Sequence, residues 1–303
     1  MYKHLQTSPE AILAIENFNL PSSFDFGKVI CPVMIVCDFK NGEWGALNMI
    51  PYQTISLDPT CKVFHYGQEI FEGMKAYGVE DKGPFLFRPE ENWSRFNLSA
   101  ERMGMAEIPK DIFIEAVSGM ADYNRDFIPN NIGESLYLRP FMIATDNHLG
   151  IRPSITFKFM VLASPSAEYI TSDYVKVHIQ REYARACPGG TGRAKTGGNY
   201  AGSLKASMEA NKLGFHQTLW LDALHKESIE ELSGMNFFAV IDGVVHTPKL
   251  TETILDGITR RCLIKIAQNL GYEIKESHMK ISELLKQIED KSCTECCMCG
   301  TAS

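Results

Sequence analysis

Apolar and polar positions alternate with strand period in some stretches of the chain and recur with helical period in others. VMIVCDFKNGEWGALNM reads as two strands across an Asn41–Gly42 hairpin, and MKAYGVEDKGPFLFRP as a second hairpin across Asp81, Lys82 and Gly83. Pro89 opens a helix through PEENWSRFNLSAERM, and Pro109 opens another through PKDIFIEAVSGMADYNRDF. Two more strands, SLYLRPFMIAT and ITFKFMVLAS, complete an antiparallel sheet carrying helices. SPSAEYITSD, residues 164–173, has the small and polar composition of an interdomain linker. The expected division is a small N-terminal α/β domain over 1–163 and a large domain over 174–303.

The second half mixes both periods. A strand in YVKVHIQ precedes a glycine-rich loop, and a helix is expected from about Tyr200 to Lys212, stopped at Gly214. QTLWLD is a strand, and KESIEELSGMNFFAVIDGVVHTP reads as two strands joined at SGMN. A helix in LDGITRRCLIKIAQNLG ends at Gly271. The amphipathic ISELLKQIE then leads into CTECCMC, read as a buried strand of small soft residues.

Composition narrows the function. A chain of 303 residues that is 45% apolar and 22% charged can bury two cores, and a net charge of −7 argues against nucleic-acid or anionic-membrane partners. Small-molecule chemistry is the expectation. The first twenty or so residues hold no apolar core of signal-peptide length and no later run approaches a membrane span, so the expected compartment is the cytoplasm. Nine scattered cysteines suit reduced thiols, and the four in CTECCMC lack the second ligand pair of a zinc site, so no metal is expected.

Candidate chemistry centres on GGTGRAKTGGNY, residues 189–200, where Lys195 stands among five glycines. A phosphate-binding loop nearly fits, but Ala194 takes the place of its second glycine, and Gly197 and Gly198 are expected to break the helix that should follow. Other residues offer Lys195 company. Tyr200 follows at the start of a helix, Glu231 sits among apolar residues in EELSGMN, and TETILDGIT enters a helix with small and hydroxyl residues suited to an anion. An amine, a carboxylate, a phenol and a helix-start phosphate cup are together what pyridoxal phosphate requires.

HYGQEIFEGMKAY, FLFRPEENWSRFNLSAERM, LYLRPFMIAT, GGTGRAKTGGNYAGSLKA, LWLDA, EELSGMN, LTETILDGITR and CGTA run in one order from about residue 60 onward. In these stretches the chain resembles the branched-chain amino acid aminotransferases of the fold-type IV pyridoxal-phosphate class. The resemblance implies an α/β (α+β) fold of two domains, each with a mixed or antiparallel sheet flanked by helices, the larger one binding the cofactor. It makes Lys195 the Schiff-base lysine and proton shuttle, Glu231 the partner of the pyridine nitrogen, and Tyr200 the partner of the ring's phenolic oxygen. Arg95, Ile258, Thr259 and Thr301 are implied as phosphate ligands. Phe26, Tyr66, Phe71, Tyr137, Arg139 and Tyr169 are implied in the substrate pocket, with Gly234, Met235 and Ala302 near the α-carboxylate. Tyr137 and Arg139, two apart on a strand, share one face, an aromatic wall beside a cation.

The implied reaction is ping-pong transfer of the amino group of L-leucine, isoleucine or valine to 2-oxoglutarate by way of pyridoxal 5'-phosphate, in a homodimer to which Tyr66 contributes across the interface. A D-amino acid aminotransferase or an aminodeoxychorismate lyase would keep Lys195 and Glu231, although the long glycine loop and LYLRP belong to the branched-chain group. Two features depart from that group. Ser233 precedes Gly234 where GGMN or GTMN is common, and relatives continue for some tens of residues beyond CGTA. The second departure leaves a truncated, weakly active cofactor-binding protein as a further reading.

Overall fold

The computed structural model describes residues 2–79, 82–129, 131–167 and 174–301. The chain divides into two compact units, Met1–Tyr169 and Ile170–Ser303.

Unit 1 contains, in order, β1 (Leu5–Thr7), α1 (Pro9–Glu16), β2 (Val33–Lys40), β3 (Glu43–Trp44), β4 (Leu47–Pro51), α2 (Lys62–Tyr66), β5 (Glu69–Phe71), β6 (Met74–Val79), β7 (Lys82–Leu86), α3 (Pro89–Arg102), α4 (Lys110–Tyr123), β8 (Ser135–Ala144) and β9 (Phe157–Ser166). Among the described residues the sheet runs β1-β4-β2-β9-β8-β6-β7, with β3 on β2 and β5 on β8. Its pairs are antiparallel except β1 with β4. Asn41 and Gly42 turn β2 into β3 with φ of 55° and 82°, as a two-residue hairpin loop of this hand requires. In the second hairpin Lys82 and Gly83 already belong to β7, so only residues 80 and 81, outside the described set, separate the strands.

Alternation along β8 gives the sheet two different faces. Leu136, Leu138 and Met142 point into the main core, where Phe96 of α3, Phe113 of α4 and Phe159 of β9 pack with ring centroids 5.5–5.9 Å apart. Tyr137, Arg139 and Phe141 therefore face the other way. α3 begins with Pro89 and carries Glu90 and Glu91 in its first turn, favourable against the helix dipole, while Phe96 and Ala100 are buried. Ser164 to Ser166, assigned by composition to a linker, are the end of β9 and pair with Ser135 to Tyr137. Small side chains here fit a buried strand.

Unit 2 contains β10 (Val177–Gln180), α5 (Gly197–Ala201), α6 (Leu204–Lys212), β11 (Gln217–Leu221), β12 (Ile229–Leu232), β13 (Met235–Ile241), β14 (Val244–Pro248), α7 (Ile258–Asn269), β15 (Ile274–Ser277), α8 (Ile281–Glu289) and β16 (Cys293–Cys299). The described sheet runs β10-β11-β12-β13-β14-β15, with β16 also on β13. KESIEELSGMNFFAVIDGVVHTP holds three strands, not two, because Asp242 and Gly243 form a second tight turn with φ of 50° and 76°. The helix expected from Tyr200 to Lys212 is interrupted at Gly202 and Ser203. Gly197 and Gly198 do not break a helix but start one: first-turn N–H groups need no intrahelical acceptor, so glycine is tolerated there. In β16 only Cys293 and Cys299 are buried, and the stretch between them is largely exposed, which corrects the buried-strand reading. The described residues hold no cluster suited to a metal and no disulfide. No described helix is long and apolar enough to cross a membrane.

Candidate active site

In unit 2 the loop between β10 and α5 is laced by one side chain. Asn199 donates from Nδ2 to the carbonyls of Thr191 and Ala194, each at 2.8 Å, and accepts from Thr191 Oγ1 at 2.7 Å. Gly192 is where this loop touches the segment before α7: a Cβ there would lie 2.6 Å from Thr253 Cα and 2.8 Å from the Glu252 carbonyl oxygen. Backbone cannot yield that much, so the position admits only glycine. The loop thus held presents Lys195, whose Nζ donates to Tyr200 Oη at 2.9 Å.

Glu231 on β12 is 2% exposed and is the second element of this group. Arg185 donates from Nε to its Oε1 at 2.8 Å, and Asn236 from Nδ2 to its Oε2 at 3.1 Å. Arg185 is fixed in turn by the Thr253 carbonyl, 2.8 Å from Nη1. Burial pushes the Glu231 carboxyl up to about 7, although Arg185 and, more weakly, Lys195 pull it down. A buried carboxylate with two donors already on it is poised to meet a further positive group.

Asn236 also ties Glu231 to the start of α7, since its Nδ2 reaches the Leu255 carbonyl at 3.0 Å. Gly257, the residue before α7, leaves it room: a Cβ there would fall 2.0 Å from Asn236 Oδ1. No side chain caps α7, so the N–H groups of Ile258 and Thr259 lie at a helix start with a partial positive charge and no intrahelical acceptor. β16 pairs Cys299 with Asn236, which brings Gly300 against the Ser233–Gly234 turn and leaves Thr301 next in line. Gly234 holds φ of 87°, and Tyr200 Cε1 lies 4.0 Å from where its Cβ would be. Lys195, Tyr200, Glu231, Gly234 and Met235 are thus assembled by neighbouring elements of one unit. An amine beside a phenol, a buried carboxylate and an uncapped helix start match the donor set that a phosphorylated pyridine aldehyde requires.

Unit 1 gathers the other candidates. Arg139 Nη2 donates to Tyr137 Oη at 3.0 Å, its guanidinium lies 4.8 Å from the Phe71 ring centroid, and Phe26 packs edge-on to Tyr137 at 4.8 Å. Gly73 permits this cluster, because a Cβ there would sit 2.2 Å from Tyr137 Oη. Arg139 Nε is buried with no partner among the described residues. Tyr66 lies apart, on α2, 42% exposed, its hydroxyl donating to the Leu149 carbonyl. Arg95 is buried, and its Nε and Nη2 form a bidentate pair with Glu72 at 2.7 and 2.8 Å, joined by Asn92 at 2.7 Å. Its guanidinium is therefore held by a carboxylate as well as being a candidate for phosphate. Tyr169 and Ala302 lie outside the described residues.

The sequence reading passed over Glu72, Arg185, Asn199 and Asn236. The cue that singled out Glu231, an acid in an apolar run, is also present at Glu72 in EIFEGM. Arg185 in REYARACPGG carries no such cue, because only folding buries it beside Glu231.

The chain also matches known proteins. Residues 69–303 match the family Amino-transferase class IV. The chain is 41% identical over 287 residues to branched-chain-amino-acid transaminase 1 of Bacillus subtilis (strain 168), covering 93% of this chain and 81% of that protein. It is similar to the solved structure of the T.th. branched-chain amino acid aminotransferase with pyridoxamine 5'-phosphate, at TM-score 0.71 and 30% identity over 88% of this chain and 82% of that one. The same enzyme complexed with N-(5'-phosphopyridoxyl)-L-glutamate gives TM-score 0.72 at the same identity and coverage.

Proposed function

The chain belongs to the class IV aminotransferases, pyridoxal-phosphate-dependent enzymes of fold-type IV, and on that premise we propose that it transfers the amino group of L-leucine, isoleucine or valine to 2-oxoglutarate. The observation that carries this reading is the pairing of Lys195 with Tyr200 beside the buried Glu231–Arg185 pair. Bound pyridoxal 5'-phosphate supplies a carbonyl to carry the amino group and a ring to accept the electron pair left at the substrate's α carbon.

The residues of the chain do the rest. Lys195 would hold the cofactor through Nζ, and the same atom would take the α proton and return it. Tyr200 Oη, 2.9 Å away, holds Nζ in line and would hydrogen-bond the ring's phenolic oxygen. Glu231 would hold a proton on the ring nitrogen, its negative charge supported by Arg185 and Asn236. The N–H groups of Ile258 and Thr259, with Thr301 and Arg95, would hold the phosphate.

For substrates, Tyr137, Phe71 and Phe26 offer an apolar wall for an aliphatic side chain. Arg139 offers the cation that the second carboxylate of 2-oxoglutarate needs, and its Nε, without a partner among the described residues, suits that role. Gly234 and Met235, with Ala302, would line the α-carboxylate; Tyr169 joins the pocket in this reading.

We also propose a homodimer, with Tyr66 of each protomer serving the partner's site. Around Tyr66 the side chains of Phe64, Leu149 and Ile151 are 60%, 58% and 90% exposed, an apolar group that a second copy would cover. Work on free amino acids and 2-oxo acids fits a cytoplasmic enzyme. The test of the activity is a coupled assay with L-leucine and 2-oxoglutarate in which both products, 4-methyl-2-oxopentanoate and L-glutamate, are identified; D-leucine as the preferred donor would overturn it.

A further inference from the structure

On β12 the two adjacent acids point to opposite faces of the sheet: Glu231 toward Lys195, and Glu230 away from it. Glu230 is 6% exposed, and one of its oxygens is fully used. Thr253 Oγ1 donates to Oε1, and Thr251 and Thr253 join their hydroxyls at 2.8 Å, so a short hydroxyl chain fixes the carboxyl in place. The other oxygen, Oε2, is buried, and among the described residues no donor reaches it. Burial raises this carboxyl above its usual range, although Thr253 and Arg185 pull it down. A fixed, dehydrated carboxyl oxygen without a donor is costly to a fold.

Glu230 lines a cleft of about 370 Å³ within unit 2, a volume inside the span of roughly 300–1,000 Å³ common to small-molecule sites. Ile229, Ile254, Pro248 and Ala223 give it an apolar lining. Lys249 and His278 stand at its rim, both exposed, and neither side chain has a hydrogen-bond partner among the described residues. The other acids of the lining are already occupied. Asp222 accepts four backbone N–H groups, and Glu252 accepts the Gly189 N–H at 2.9 Å.

We infer that this cleft is a second binding site, for an aliphatic α-amino acid, whose ammonium pairs with the Glu230 carboxyl and whose carboxylate meets Lys249 and His278. The pattern of one buried acceptor without a donor among the described residues, an exposed lysine and imidazole, and apolar walls selects a zwitterion with a hydrocarbon side chain. Neither an amine nor a carboxylic acid alone satisfies both ends. Lys195, Tyr200 and Glu231 are not among the residues that line this cleft.

The test is equilibrium dialysis with radiolabelled L-valine, using holoenzyme whose active site has been closed by borohydride reduction of the lysine–cofactor bond. The expected result is saturable binding of about one L-valine per chain, weakened at least about tenfold, or ~1.4 kcal/mol, in Glu230→Gln and in Lys249→Ala. Isobutylamine and isovalerate, each lacking one charge, should fail to compete. Lys249 is exposed, so Lys249→Ala keeps the test sound even where Glu230→Gln misfolds. No saturable binding to the reduced enzyme at millimolar L-valine, or binding unchanged in Lys249→Ala, would overturn the inference.

Discussion

Arg185 donates to Glu231 across 2.8 Å with both side chains out of solvent, 6% and 3% exposed. Breaking one side of a buried pair leaves an uncompensated charge, which typically costs about 3–5 kcal/mol. Arg185→Met is therefore expected to lower the melting temperature clearly and to weaken cofactor binding by tenfold or more, on the scale of ~1.4 kcal/mol per decade. A thermal melt and a cofactor titration of the variant check both. A variant as stable and as tight-binding as the parent would show the pair to be idle.

The same carboxyl predicts a pH dependence. Glu231 titrates at about 7 when folded, against a usual value of 4.5, so the cofactor-free fold keeps its proton longer than the unfolded chain does. The stability this contributes is complete below the ordinary value and is lost as pH rises through about 7. Glu231→Gln removes the titration. The stability of the cofactor-free parent relative to this variant should fall between about pH 5 and pH 7.5 and then level off. Melts of the two proteins across that range, with a flat difference, would contradict the prediction.

Tyr200→Phe removes the phenol 2.9 Å from Lys195 Nζ. A hydrogen bond to a charged group is worth about 1.5–3 kcal/mol, so kcat should drop by roughly ten- to a hundredfold while the protein still binds cofactor. Single-turnover kinetics with L-leucine measure the drop directly.

Arg139→Met tests substrate recognition. Loss of the cation beside Tyr137 and Phe71 should raise KM for 2-oxoglutarate by about tenfold or more, and change KM for L-leucine by less than about threefold. Equal effects on both substrates would exclude Arg139 as the residue that recognises the second carboxylate.

How much of this was readable in the sequence follows from distance along the chain. Lys195 and Tyr200 stand in one loop-and-helix segment, so their association was visible, as was the shared face of Tyr137 and Arg139 on one strand. The Arg185–Glu231 and Arg95–Glu72 pairs join remote segments, and nothing local marks Arg185 as buried. The short α1 was missed although Ser8 caps it and Pro9 starts it, signals that were present but went unread. The parallel pairing of β1 with β4 is set by tertiary packing and has no local signature. Gly197 and Gly198 were misread because glycine was taken as a breaker at a helix start, where it does little harm.

Asp222 carries a stability prediction independent of the chemistry. Burial would raise its carboxyl, but the N–H groups of His225, Ser228, Glu227 and Leu224 outweigh that and hold it at about 2. Asp222→Ala should destabilise unit 2 by about 2–3 kcal/mol near neutral pH, since four N–H groups lose their acceptor. The difference should shrink as pH falls from about 4 through about 2, because the parent's carboxyl then takes up a proton and its advantage disappears. Denaturant titrations at neutral and acid pH measure both effects.

The central claim, that Lys195 is the amine that binds cofactor and carries out transamination, is tested most directly by absorbance spectroscopy with added pyridoxal 5'-phosphate, before and after L-leucine. The expected result is a visible band from lysine-bound cofactor that moves to the ultraviolet on addition of L-leucine, and no such band in Lys195→Ala. A band in Lys195→Ala as strong as in the parent, or a parent band that L-leucine leaves unmoved, would contradict the account.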